Sequence, residues 1–270
     1  MLGVNYLAPK DSFPKARAAA LRALEIDETL AEAHVSLAMV KLMYEWDFPG
    51  AERELKRALA LNAGYASLYE AYAYCLQAMG RVEAAITRLE QAQEIDPLSP
   101  ILTSDLGWAY ISVRQYDRTL EQGLKALEIE PNFAVAHLVI GLAYEYKGEH
   151  KKAIAALAKA SALSNQSPRV LARLGYAYAK EGSTDKAREL LDRLIRLSEQ
   201  SHIDPYNIAV VRIGLGSSEE AFESLGQAYE ERSAQLIWLN LDPSFDNLRS
   251  DPRFADLLRR VGHSGGPASE

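Results

Sequence analysis

A spacing of 34 residues runs through this chain of 270. Gly80, Ala85, Ala92 and Pro97 are followed at that distance by Arg114, Thr119, Ala126 and Pro131. Gly148, Ala153 and Ala160 continue the register, and so do Gly182 and Ala187. Self-similarity at this period marks stacked helical hairpins, each too small to bury its own apolar face and burying it on its neighbours. The chain is therefore expected to be all-α, a solenoid whose length follows repeat number. A stack of hairpins is a surface for holding other molecules and brings no catalytic constellation of its own.

The stretch from Ala66 to Leu98 shows how one hairpin is specified. Tyr69, Tyr72, Ala73 and Leu76 recur at helical spacing and give the first helix an apolar face. Gly80 ends that helix by supplying a left-handed backbone conformation. Ala85, Leu89 and Ala92 form the inward face of the second helix, and Pro97 stops it. Small residues are expected to pair where the helices cross: Ala73 with Ala85, Gly107 with Thr119, Gly141 with Ala153, Gly175 with Ala187, and Ala209 with Ala221. The unit from Ala31 to Ala63 carries one extra residue, expected in the turn from Trp46 to Gly50.

These positions resemble the tetratricopeptide repeat. Its pattern is a large residue, Leu-Gly, an aromatic, Gly, two spaced alanines and Pro. Leu106-Gly107, Tyr110, Ala126 and Pro131 match it, as do Ile140-Gly141, Tyr144, Gly148, Ala153 and Ala160. The likeness extends from about Phe13 to Glu231. The family's first-position Trp is replaced here by His34, Tyr69, Thr103, His137 and Leu171, which predicts looser packing at that point. The resemblance implies a right-handed superhelical solenoid of antiparallel hairpins, about five to six repeats, with a concave groove lined by the first helix of each hairpin.

The ends differ from the repeats. Residues 1–30 read as an incomplete N-terminal repeat, in which Phe13 to Glu25 is a second helix whose first is missing or reduced to Met1–Tyr6. An exposed half-hairpin of this kind could pair with its own copy in a homodimer, or mark the start of an arm belonging to a longer chain. Residues 31–232 form the solenoid. Residues 233–262 read as capping helices: a short apolar helix from Leu236 to Leu241, two Asp-Pro turns bracketing Phe245 and Leu248, and an amphipathic helix from Pro252 to about Val261. Residues 263–270, small and polar, are expected to be a disordered tail. Three phrases, Trp46-Asp-Phe-Pro-Gly-Ala, Asp96-Pro-Leu-Ser-Pro100 and the closing Asp-Pro run, resemble the C-terminal arms of bacterial regulators. In those proteins the N-terminal part is a Ser/Thr kinase, a cyclase or a winged-helix domain.

Bulk chemistry narrows the function. The net charge of −7 and pI of about 5.4 offer no basic footprint for nucleic acid. No apolar run reaches the roughly 18 residues that cross a bilayer, and Met1-Leu-Gly-Val-Asn-Tyr lacks the pattern of a signal peptide. A cytoplasmic location is expected, or a periplasmic one if a membrane-anchored region lies upstream. Cys75 is alone, so it forms neither a disulfide framework nor a cysteine metal site. None of the five histidines is paired at helical spacing with another, and His34 and His137 share one repeat position. Gly214-Leu-Gly216 imitates a phosphate loop, but Gly216 is the repeat's turn glycine. No catalytic residue, metal or cofactor is expected.

Binding is better signalled. The face of each first helix that points away from its partner carries Met39, Met43, Tyr74, Trp108, Ile111, Leu142, Tyr146 and Tyr176. A continuous apolar and aromatic stripe marks an interaction site, unless the solenoid buries it against itself. Lys, Asn and Arg residues that clamp a peptide carboxylate in some family members are absent, since Val35, Met39, Ser67, Glu70 and Tyr74 stand there. The groove is expected to hold a protein partner as an amphipathic helix or extended apolar segment.

Overall fold

The structure is a computed structural model and describes residues 7–263. Every regular element among them is helical. Fourteen α-helices alternate as hairpin partners: α1 (Pro9–Ile26), α2 (Ala31–Val40), α3 (Phe48–Leu61), α4 (Ala66–Ala78), α5 (Val82–Ile95), α6 (Pro100–Ser112), α7 (Tyr116–Ile129), α8 (Ala134–Tyr146), α9 (His150–Leu163), α10 (Pro168–Glu181), α11 (Thr184–Ser198), α12 (Pro205–Gly214), α13 (Ser218–Glu230) and α14 (Pro252–Arg260). Two short 3₁₀ helices, Ala234–Trp238 and Pro243–Leu248, lie between α13 and α14. The expectation for Met1–Tyr6 lies outside the described residues, and so does the tail from 264 onward.

The turn between hairpin partners explains the 34-residue register. Gly80, Gly148, Gly182 and Gly216 all have positive φ, between 75° and 96°. Trp46 and Arg114 hold the same left-handed place at φ 59° and 57°, a conformation that L-residues with a Cβ adopt at a cost. Trp46 is thus 34 residues before Gly80, so the extra residue of its unit lies upstream of the turn. It is absorbed inside the helix, where Lys41–Glu45 form a π-helical turn. One added residue widens a helical turn to i→i+5 bonding, which keeps the hairpin turn itself in register.

Contacts divide the chain into two units. The first comprises Leu7–Leu98, Tyr229–Leu241 and the stretch from Asp251. Its hairpins carry Leu42, Ala51, Leu55, Leu68, Leu76, Ala85 and Leu89 as a fully buried core. Asp47 caps α3, accepting from the Gly50 N–H at 2.9 Å. Trp46, buried, stacks at 5.2 Å on Tyr229, with the Arg232 guanidinium 4.5 Å from the indole and Arg260 3.9 Å from the Tyr229 ring. Gly262, at φ 93°, lies so near the Trp46 carbonyl that a Cβ would approach it to 2.9 Å. His263 is buried, edge-on to Phe48 at 5.4 Å. The expected disordered tail therefore does not begin at 263, because this imidazole packs into the unit as a neutral ring whose pKa is lowered by burial.

Cys75 is fully buried in the same unit, its thiol 3.7 Å from the Phe48 carbonyl, and burial pushes its pKa up to about 12. The folded protein is expected to resist alkylation at pH 8 and to react at the free-thiol rate in denaturant, measured by mass shift with iodoacetamide.

The second unit comprises Ser99–Ala228 and Asp242–Ser250. Here the repeat extends beyond apolar positions. Arg118 lies 5.3 Å from the Tyr110 ring, Lys152 5.2 Å from Tyr144 and Lys186 5.1 Å from Tyr178. In these three hairpins the cation of the second helix thus covers the aromatic of its own first helix, 34 residues apart from one to the next. The small residues approach closely, but not all against the expected partner. A Cβ on Gly107 would meet Val139 at 2.8 Å, and one on Gly141 would meet Leu157 at 2.6 Å rather than Ala153.

Candidate functional site

The inner stripe is carried by the first helix of each hairpin. In the first unit Met39, Met43 and Tyr74 are half-buried. The Tyr74 ring meets Trp238, from the 3₁₀ helix Ala234–Trp238, edge-on at 5.5 Å, and its hydroxyl donates to Glu70 at 3.0 Å.

In the second unit the eight-residue expectation splits. Ile111 and Leu142 are 3% and 1% exposed, packed with Leu138, Leu157, Val170 and Leu174 in one core cluster. Tyr176 is 6% exposed. These three belong to the interior, because consecutive first helices pack side by side and seal residues on their flanks. Trp108 remains half-buried, with the Arg169 guanidinium 4.7 Å from its ring. Tyr146 is half-buried, and its hydroxyl points at a segment of this chain rather than into open space.

That segment is Asp242–Leu248. Pro243–Leu248 forms its 3₁₀ helix, and Asp242 caps it by accepting from the Ser244 N–H at 3.0 Å. The Asp242 carboxylate is buried against Arg173 of α10, whose Nη2 donates to Oδ2 at 2.5 Å and Nη1 to Oδ1 at 3.4 Å. Tyr206 of α12 donates to Oδ2 at 2.8 Å and Tyr146 of α8 to Oδ1 at 3.0 Å. Ser244 Oγ accepts from Arg173 Nη1 at 2.8 Å and lies 3.0 Å from the Tyr146 hydroxyl. Phe245, fully buried, is edge-on to Tyr206 at 5.3 Å. At the rim Arg114 pairs with Asp246 at 2.8 Å.

The electrostatics follow from this geometry. Burial works against charge on Asp242, but the guanidinium beside it and its hydrogen bonds hold the carboxyl well below the usual carboxylate range. Burial, reinforced by the Asp242 charge, pushes the Tyr146 and Tyr206 phenols far up, so both remain donors. The Asp242 charge holds Arg173 firmly protonated despite its burial.

Sequence reasoning took Asp242 for a turn residue and missed Arg173, Tyr206, Ser244 and Phe245 as parts of a site. A signal was present: Arg173 interrupts Val170-Leu-Ala-Arg-Leu-Gly-Tyr-Ala, an otherwise apolar face. A cation in such a run requires a buried carboxylate. Among the described residues no cluster of three or more His, Cys, Asp or Glu is placed to hold a metal ion. No helix among them is long and apolar enough to cross a membrane.

The fold and the repeat register agree with the comparisons. The tetratricopeptide repeat family model matches residues 42–104 and 146–204. Tetratricopeptide repeat protein 28 of Homo sapiens is 34% identical over 92 residues, which is 34% of this chain and 4% of that protein's length. The chain thus spans a small fraction of the curated relative it matches. The Cut9–Hcn1 hetero-tetramer of the APC/C superposes with a TM-score of 0.64 at 17% identity, covering 95% of this chain and 47% of the other. A tetratricopeptide repeat protein from Parabacteroides merdae gives 0.61 at 13% identity, covering 93% of both. The chain carries tetratricopeptide repeats over the residues that the family model matches.

Proposed function

We propose that this chain is a non-catalytic scaffold that seats a protein partner on the inner face of its first helices. The observation that carries this reading is the set of large apolar and aromatic side chains left half-open there: Met39, Met43 and Tyr74 in one unit, Trp108 and Tyr146 in the other. Met and aromatic side chains are enriched at interfaces and dominate hot spots. The flanking chemistry differs from a carboxylate clamp, so the main attraction is apolar and aromatic, with selectivity from Arg169 over Trp108.

Photocrosslinking tests this. A benzophenone amino acid at position 43 or 108, in an extract of the cells that make the protein, should yield discrete protein adducts. The same group at Leu124, exposed on α7, should not. Tyr74→Ala, in the same unit as Met43, should lower the adduct yield from position 43 by tenfold or more, with helicity unchanged. Adducts from position 124 alone would place the partner on the outer face and overturn the reading.

A further inference from the structure

We infer that Asp242–Leu248 is an internal occupant of a peptide site formed by α8, α10 and α12. The partner that takes its place presents the same chemistry, a carboxylate followed three residues later by an aromatic ring. The inference rests on the partner-face reading above and names the kind of segment the second unit would accept.

Three observations support it. The receptor side consists of side chains, Arg173, Tyr146 and Tyr206, on helices that belong to the repeats and are positioned by the register rather than by the occupant. The occupant side is two turns of 3₁₀ helix whose backbone bonds are local, Phe245 N–H to the Asp242 carbonyl at 3.2 Å and Arg249 N–H to the Asp246 carbonyl at 3.3 Å. Such short segments belong to the low-stability end of a structure, which opens before the core does.

The third observation is the choice of chemistry. An apolar residue facing an apolar residue would cover the ends of these helices as well, without removing two charges from water. The face instead carries a guanidinium and two phenol donors aimed at one carboxylate, a constellation that discriminates among segments. Asp242 fixes the anion and Phe245, on Tyr206, reads the ring. Asp246, paired with Arg114 at the rim, sets the direction of the chain. A segment lacking the carboxylate would leave Arg173 buried without a counter-charge, so it is rejected more strongly than a poor apolar fit would be.

The test uses an acetylated, fluorescent peptide of residues 242–250 and the full chain, read by anisotropy. The chain carrying Asp242→Ala and Phe245→Ala, its own occupant disabled, should bind the peptide at least tenfold more tightly than the unsubstituted chain. Peptides with Asp242→Asn or Phe245→Ala should each bind it at least tenfold more weakly. Binding no tighter than to the unsubstituted chain, at native helicity, would make the segment a structural cap and overturn the inference. Should the doubly substituted chain fail to fold, native-state hydrogen exchange on the unsubstituted chain decides. The Ser244 and Phe245 amides should be protected at least tenfold less than the centre of α10, and equal protection would mean that the segment leaves only on global unfolding and would overturn the inference. Crosslinking from positions 43 and 108 tests the scaffold reading alone: adducts there without peptide binding overturn this inference and leave that reading standing.

Discussion

Replacing Asp242 with alanine is expected to weaken the second unit by about 3–5 kcal/mol, because Arg173 is left buried without its counter-charge. Arg173→Ala should cost a similar amount from the other side. The two losses will not add: in the double variant neither charge is stranded, and a coupling of about 3 kcal/mol should appear in the cycle. Arg173→Met with Asp242→Leu should recover most of the stability, as apolar replacements of buried ion pairs do. Urea unfolding followed by circular dichroism measures all four. Additive losses would show that the pair is not energetically coupled. A released segment limits what the single variants can lose. Once Asp242–Leu248 detaches, Arg173 regains solvent, so the global loss levels off at the free energy of release and further strain appears as segment exchange. The pH dependence has a definite sign. The Asp242 carboxyl is held below its unfolded range, so its stabilisation is fully present above the unfolded carboxylate pKa of about 3.9. It is lost as pH falls toward the folded value. The advantage of the unsubstituted chain over Asp242→Asn should be constant from about pH 5 to 7 and shrink below about pH 4.

The parts of this molecule that were legible in the sequence are those that recur. Gly80, Gly148, Gly182 and Gly216 each mark a turn, and the interval between them defines the hairpin before any contact is known. Arg114 and Trp46 fit because position in the register, rather than residue type, decides the left-handed turn; the structure pays for their Cβ atoms with strain. The π-helical turn at Lys41–Glu45 was not legible, since counting finds an extra residue but not which element absorbs it. The inner stripe was legible as a set of residues and not as a surface. Trp108 and Leu142 occupy equivalent places, yet one is half-open and the other 1% exposed. Exposure depends on how neighbouring helices seal the flank, and Leu142 is closed in by Leu138, Leu157, Val170 and Leu174, a packing that the register alone does not reveal. The Arg173–Asp242 pair joins positions 69 apart in sequence with no shared pattern, so only the oddity of an Arg on an apolar face hinted at it.

Gly141→Leu should destabilise the second unit by about 3 kcal/mol or more, toward the upper end of what overpacking costs. A Cβ at this position already falls 2.6 Å from Leu157 Cγ and 3.4 Å from the Leu157 backbone nitrogen. The side chain can move, but the backbone of α9 cannot without disturbing its contact with α8, and Leu157 is fully buried. Even Gly141→Ala should cost about 1–2 kcal/mol, although alanine is the better helix former by about 1 kcal/mol. The identity of the partner decides the rescue. Leu157→Ala alone should cost about 2–5 kcal/mol for the cavity it opens. In the Gly141→Leu background that cavity receives the new side chain, so the double variant should be more stable than the sum of the two losses by about 1–3 kcal/mol. Ala153→Gly should give no such rescue, because a Cβ on Gly141 meets Leu157, one helical turn beyond Ala153 along α9. Rescue by Ala153→Gly instead would restore the crossing pair that the 34-residue register suggests and would contradict the packing of α8 on α9. Thermal unfolding of these variants separates the outcomes, since each kcal/mol shifts the midpoint of a unit this size by about 2–8 °C.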